Sequence, residues 1–218
     1  PRTQMQGLQI TRVTSAAGLT ACAALSPDGK LLAFASDRSG EGNLDIWVQQ
    51  VGGGEAIRLA PHVADDSEPA FSPDGTRIAF RSERDGGGIY LVSALGGEPR
   101  RTADQGRGPR FSPDGAWIAY WVGDQSGFSR NKLLVMPSAG GQPRQLQPEF
   151  FSAYFPLWSP DSKLLLFLGV RDGNAAGPQR YDWWVTPLEG GTAVKTGAFA
   201  SLNRHKLTPL LRDAGEWT

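Results

Sequence analysis

"ALSPDGKLLAFASDRSGEGNLDIWVQQVGGGEAIRL", residues 24–59, holds the phrase whose reading decides the fold. Its Ser-Pro-Asp-Gly recurs at residues 72–75 and 112–115, and as Ser-Pro-Asp-Ser at 159–162. The four serines stand 46, 40 and 47 residues apart, a period in the forties that points to a propeller or another repeat array. A short apolar stretch precedes each copy: Ala23-Ala24-Leu25, Pro69-Ala70-Phe71, Pro109-Arg110-Phe111 and Pro156-Leu157-Trp158. Proline fixes φ for the first turn position, aspartate bonds back to the backbone, and glycine accepts the left-handed conformation that ends a tight hairpin. Ser162 replaces that glycine in the fourth copy, at a strain of about 1 kcal/mol if the geometry is kept.

A second strand is expected after each turn, over 31–35, 77–81, 117–121 and 164–168. Three of the four are apolar at most successive positions, so both faces of each must be covered. Third strands follow around Ile46-Trp47-Val48, Ile89-Tyr90-Leu91, Leu133-Leu134-Val135 and Trp183-Trp184-Val185, each closed by a glycine pair. A more polar fourth strand, as at 55–60 or 142–147, suits an edge that faces water. Four antiparallel strands per repeat make a propeller blade. The expected fold is therefore all-β: a β-propeller of four-stranded antiparallel blades, four of them complete, with partial blades at both ends. Residues 1–19 are read as an orphan outer strand and lead-in, 20–60, 61–103, 104–147 and 148–198 as the four blades, and 199–218 as the start of a further, truncated blade.

Composition agrees. The 218 residues suit one domain or two, and the 28 glycines suit a protein of many tight turns. Lys+Arg and Asp+Glu are 22 each, so the electrostatic footprint of non-specific nucleic-acid binding is missing. The longest strongly apolar run, 164–170, is too short to cross a bilayer, so no direct membrane insertion by this segment is expected. No signal peptide is legible, and a start at Pro1 suggests a processed or excised product. A lone cysteine, Cys22, excludes an internal disulfide and a cysteine-built zinc site.

These units resemble the WD-repeat-like propeller repeat of TolB-type proteins, with its "SPDG…IAF…IYV…GG…RLT" pattern, over roughly Gln9 to Phe199. That group spans translocation proteins, gating propellers of prolyl-oligopeptidase-like peptidases, and sensor modules. The entry "QITRVTSAAGLTACAALSPDGKLLAF" and the later "GGEPRR", "GGQPRQL" and "WWVTPLEGG" are also similar to propellers that follow the kinase domain and membrane span of bacterial serine/threonine kinases. The resemblance implies a sensor module in a membrane-anchored, extracytoplasmic setting, with a cytoplasmic one as the alternative. The chain itself carries no Gly-rich phosphate loop and neither a His-Arg-Asp nor an Asp-Phe-Gly triplet.

Ile10-Thr11-Arg12-Val13 matches an outer strand whose blade is missing, and Glu216-Trp217-Thr218 matches the start of an inner one. Four blades in an open ring leave two apolar faces wet. Either further blades complete the ring, or a second copy closes it as a homodimer.

Topology sorts the loops. The Pro-Asp-Gly and Gly-Gly turns share one face of an up-and-down propeller. The longer, irregular loops at 36–43, 61–68, 82–87, 103–108, 123–131, 148–154, 170–181 and 197–209 share the other, where binding residues concentrate. Candidates on that ligand face are Arg38, Asp65, Asp66, Glu68, Arg84, Arg107, Arg110, Tyr154, Arg180, Tyr181 and His205, with Phe150 and Phe151 as further aromatic surface. Aromatic and arginine mixtures favour protein interfaces. Arg110 ranks above the rest, because it starts an innermost strand and can reach the channel mouth. Asp45 and Asp182 hold equivalent positions, which argues for a recurring backbone hydrogen bond, and Trp183 and Trp184 read as blade packing.

Catalysis has little support. His62 and His205 are isolated, no Gly-x-Ser-x-Gly elbow occurs, and the Asp65-Asp66-Glu68 cluster lacks the spacing of a calcium loop. No cofactor and no metal are expected. The expectation is a non-catalytic module that binds a protein, peptide or glycan. An accessory propeller of a peptidase or envelope complex is the alternative, and a propeller hydrolase or lyase the third.

Overall fold

A computed structural model describes residues 13–14, 17–124, 129–174 and 180–205. Sixteen strands, a short 3-10 turn at Arg84–Gly86 and one α-helix run through them. The first blade is β1 (Thr20–Leu25), β2 (Leu31–Ser36), β3 (Asp45–Gln50) and β4 (Ile57–Arg58). The second is β5 (Asp66–Phe71), β6 (Arg77–Ser82), β7 (Gly88–Ser93) and β8 (Arg100–Ala103). The third is β9 (Arg107–Phe111), β10 (Trp117–Val122), β11 (Lys132–Pro137) and β12 (Arg144–Leu146). The fourth is β13 (Ser152–Trp158), β14 (Leu164–Val170), β15 (Asp182–Pro187) and β16 (Val194–Lys195), followed by helix α1 (Ala198–Arg204). Each blade is a separate antiparallel sheet with its strands in chain order, and the four first strands lie side by side. That is the all-β propeller arrangement the repeat predicts.

The repeated phrase is a hairpin held the same way four times. In the first copy the Ser26 hydroxyl donates to Asp28 Oδ1 at 2.6 Å and accepts from the Leu31 amide at 2.9 Å, while Asp28 also accepts from the Lys30 amide. Ser72, Ser112 and Ser159 repeat both contacts with Asp74, Asp114 and Asp161. The serine hydroxyl is the first cause holding each of these carboxyls below its ordinary value, with Asp74 down to about 2. Ser162 does adopt the left-handed φ of 62°, and it is buried because its hydroxyl accepts the Asp114 amide of the preceding blade at 3.0 Å. The exception to the phrase thus serves as an inter-blade tie.

Burial follows the blades. Three apolar cores fill the three gaps between neighbouring sheets. The first joins Ala33, Ala35 and Ile46 to Ile78, Phe80 and Tyr90; the second joins Ala79 and Leu91 to Ile118 and Tyr120; the third joins Ala119 and Val135 to Phe150, Leu165 and Phe167. In strands β6 and β10 one side carries large residues against the blade before; toward the blade after, β6 presents Ala79, and β10 presents Ala119 between Trp117 and Trp121. This is why these strands read as continuously apolar.

Each first strand also carries a bulge, at which two residues oppose one on the second strand. Cys22, Glu68, Gly108 and Phe155 sit there, four positions before the turn serine, with φ between 52° and 58°. Only one of the four is glycine, so the sequence does not announce the feature.

Some expectations need correction. The stretch 197–209, read as loop, contains helix α1, and the Phe199 amide bonds to Asp182 Oδ1 at 3.3 Å. The fourth strands are shorter than expected, two residues in β4 and three in β12. Except for Val13, the orphan outer strand read at 10–13 lies outside the described residues, as does the orphan inner strand read at 216–218.

Candidate functional site

The strand order puts the loops between second and third strands, and those between blades, on one face. There, between blades 2 and 3, lies a cleft of about 280 Å³. Loops 82–87 and 103–108 and the start of loop 123–131 build it. Its floor is glycine: Gly86, Gly87, Gly88, Gly106 and Gly123. Gly106 shows why. Its φ is +136°, and a Cβ there would stand 2.5 Å from the Tyr120 ring, so any side chain would collide with the second core. Gly106 is therefore glycine because of the packing beneath the cleft, whereas Gly86 and Gly123 are exposed in it and leave backbone within reach.

Charged pairs flank this floor. Arg81 pairs with Glu83, and Arg107 pairs with Glu68 at 2.8 Å while stacking 5.0 Å over the Trp121 ring. Glu68 also accepts the Gly108 amide at 2.5 Å, so its carboxylate joins blade 2 to blade 3. Gln105 is exposed at the rim. Such a cleft offers peptide groups, an amide and two guanidinium–carboxylate pairs, the chemistry of hydrogen-bonded recognition. Among the described residues no three His, Cys, Asp or Glu side chains gather as a metal set.

The expected ligand-face residues separate into distinct places. Arg107 lines the cleft and Glu68 supports it. Asp66 and Arg84 are buried in blade 2: the guanidinium bonds to Asp66, to the Ser82 hydroxyl at 2.8 Å and to the Ala60 carbonyl at 3.3 Å. Despite that partner, burial pushes Asp66 up to about 6. The pair lies buried within blade 2, and the Arg84 bond to the Ala60 carbonyl ties it to blade 1, a correction to its reading as a loop charge. Asp65 accepts the Leu44 amide at 2.8 Å, so the three acids do not form one cluster.

Arg38 is the blade-1 counterpart of Arg84. It lies 4.5 Å over Phe34 and 5.4 Å over Trp47, covering the open side of the first sheet, and burial lowers its pKa. Tyr154 and Phe150 are buried at 7% exposure, not loop surface; Phe150 meets Trp184 edge-on at 4.9 Å. Burial raises the Tyr154 phenol, with Tyr181 and Arg180 within electrostatic reach; the Arg180 guanidinium donates to the Tyr181 hydroxyl at 2.7 Å. Arg171 lies 5.8 Å over the Phe150 ring. His205 is exposed at the end of α1.

Asp45 and Asp182 behave as the repeat suggests. Asp45 accepts the His62 amide and pairs with Arg58; Asp182 accepts the Phe199 amide and pairs with Lys195. Both donor amides lie 17 residues on and both cations 13 residues on. His62 is held in this loop, its Nδ1 accepting the Ala64 amide. Sequence reasoning missed Arg81, Glu83 and the glycine floor. The run Gly86-Gly87-Gly88 was the available signal, since three adjacent glycines exceed what a turn needs.

Comparison with known proteins agrees with the architecture. Over 85 residues the chain is 34% identical to an uncharacterized protein of Agrobacterium fabrum, covering 39% of this chain and 26% of that one. TolB from Acinetobacter baumannii superposes with a TM-score of 0.63 at 23% identity, over 83% of this chain and 46% of its own. An oligogalacturonate lyase from Vibrio parahaemolyticus superposes with a TM-score of 0.62 at 15% identity, over 84% and 55%. The chain thus spans about a quarter of that relative's length and about half of each of those structures. At these identities the superpositions speak for the fold alone. The family model for the TolB beta propeller domain matches residues 3–176. With four stacked sheets and this match over most of its length, the chain belongs to the TolB beta propeller family.

Proposed function

We propose that this propeller is a non-catalytic binding module that takes a peptide segment of a protein partner at the glycine-floored cleft between blades 2 and 3. The carrying observation is that cleft: open backbone bounded by Arg81–Glu83 and Arg107–Glu68. Rigid sheets beneath irregular loops suit recognition, since little is ordered on binding. Peptides selected from a random display library on the purified chain test the reading. Gln105→Trp, which fills the cleft, is expected to abolish their capture, while Lys30→Trp on the turn face leaves it intact. Capture undiminished in the Gln105 variant overturns the assignment.

In its cellular setting the module serves as the sensor portion of a membrane-anchored bacterial signalling kinase, exposed outside the cytoplasm. The phrases 9–34 and 183–191 support this through their similarity to kinase-associated propellers. No helix among the described residues is long and apolar enough to cross a membrane, so an anchor would be supplied elsewhere in the parent. Protease accessibility of the epitope-tagged parent in intact cells checks the placement. We further propose that a second copy closes the ring against the two open blade faces.

A further inference from the structure

The four first strands meet at the propeller axis, and two residues beyond each bulge stand Ala24, Ala70, Arg110 and Leu157, paired with equivalent positions of their second strands. Three are aliphatic. Arg110 alone is charged, and it is exposed although Pro109 and Phe111 on either side are buried. Its guanidinium feels the carboxylate of Glu68 in blade 2.

Arg110 is short of partners there. Nη1 donates to the Pro109 carbonyl at 3.0 Å, and no carboxylate of the described residues stands within ion-pair distance. Glu68, which acts on it electrostatically, is already engaged by Arg107 and by the Gly108 amide. Crowding by the inner strands holds the guanidinium below its ordinary pKa, and Glu68 offsets that only in part. The backbone beneath is fixed: Pro109 restricts one side, and the Trp158 indole of blade 4 donates to the Arg110 carbonyl at 3.0 Å. A planar donor fork at an exposed position of an inner strand, with no ion pair among the described residues, is arranged for two parallel hydrogen bonds to a carboxylate.

We infer that Arg110 forms an axial carboxylate site, which takes an acidic side chain or the C-terminal carboxylate of a peptide entering the channel. It is a different surface from the cleft between blades 2 and 3, and it stands whether or not that cleft binds. Calorimetric titration of the full chain with a capped triglutamate peptide, a capped triglutamine peptide and a peptide whose free C-terminus is the only carboxylate tests it. Binding of an acidic or free-carboxylate peptide is expected, and of triglutamine is not. Arg110→Gln should weaken binding about ten-fold or more. Arg110→Lys, which keeps the charge and removes the fork, should recover only part of it. Gln105→Trp should leave it unchanged, so failure at the axis and failure at the cleft are told apart. Equal binding of all three peptides, no binding by the wild type, or an undiminished Arg110→Gln variant each overturns the site.

Discussion

Two classes of aspartate act oppositely on stability as pH changes. In the turns, Asp28, Asp74, Asp114 and Asp161 lie below their ordinary value of 3.8, Asp74 at about 2, because serine hydroxyls and backbone amides stabilise the charged form. Their contribution is present above 3.8 and is lost as pH falls toward 2. Ser72→Ala removes the first of those donors, so the Asp74 carboxyl should titrate closer to 3.8, read from its side-chain carbon resonance. Asp66 is the reverse. Burial raises it from 3.8 to about 6, so the stability of its neutral form is present below 3.8 and fades as pH rises to 6. Asp66→Asn, permanently neutral, should therefore gain stability relative to the wild type between pH 4 and 6, measured as urea midpoints. If pairing with Arg84 outweighed burial, the difference would run the other way. The sequence shows Asp66 only as one of three nearby acids, Asp65, Asp66 and Glu68. That one would be buried beside Arg84, 18 residues on in the same blade, is a contact the local pattern does not show.

Among the elements, the second strands show how a blade repeats. Phe80, Tyr120 and Phe167 are buried facing the preceding blade, and Ala33, Ala79 and Ala119 provide the small surface that receives such residues. Blade 4 breaks the rule: the position of Ala33, Ala79 and Ala119 is occupied by half-buried Leu166. Ala119→Leu should therefore overpack the third core and cost about 1–3 kcal/mol. Leu166→Ala, at the same register on an open face, should cost less than the 2–5 kcal/mol typical of a buried leucine, that is, about 1 kcal/mol. Thermal unfolding of both variants checks the contrast. The strands and their faces were legible because period, turn chemistry and apolar runs are all local. Shape at the axis was not: Cys22, Glu68 and Phe155 adopt the left-handed bulge without being glycine, since neighbouring strands impose it. The same holds for Tyr154, whose burial comes from Trp121 at 5.7 Å in the preceding blade.

At the scale of the molecule, the four sheets of the described residues make three filled gaps, and no described sheet lies against the outer side of blade 1 or of blade 4. At the leading face Leu19 and Leu25 are 47% and 60% exposed, whereas Phe111, which holds the place of Leu25 in blade 3, is buried. Arg38 stacks on Phe34, and its Nη2 is buried without a hydrogen-bond partner, whereas the equivalent Arg84 reaches the Ala60 carbonyl of the blade before. At the trailing face Leu157 and Leu164 are 47% and 38% exposed. Leu166 stands where the other blades present alanine, so a second copy that presents blade 4 to blade 1 must repack around it, while the same copy can supply the carbonyl that Arg38 lacks. A head-to-tail contact used twice closes a ring and leaves no further face to extend it. Sedimentation equilibrium should then show a mass of twice 23.4 kDa, rising with concentration. Leu25→Glu should shift the chain to monomer, because a buried carboxylate facing leucines has no partner, while Leu95→Glu, at 94% exposure away from both faces, should not. A mass of 23.4 kDa at every concentration would rule the paired ring out and assign the cover of both faces to further blades of a longer chain.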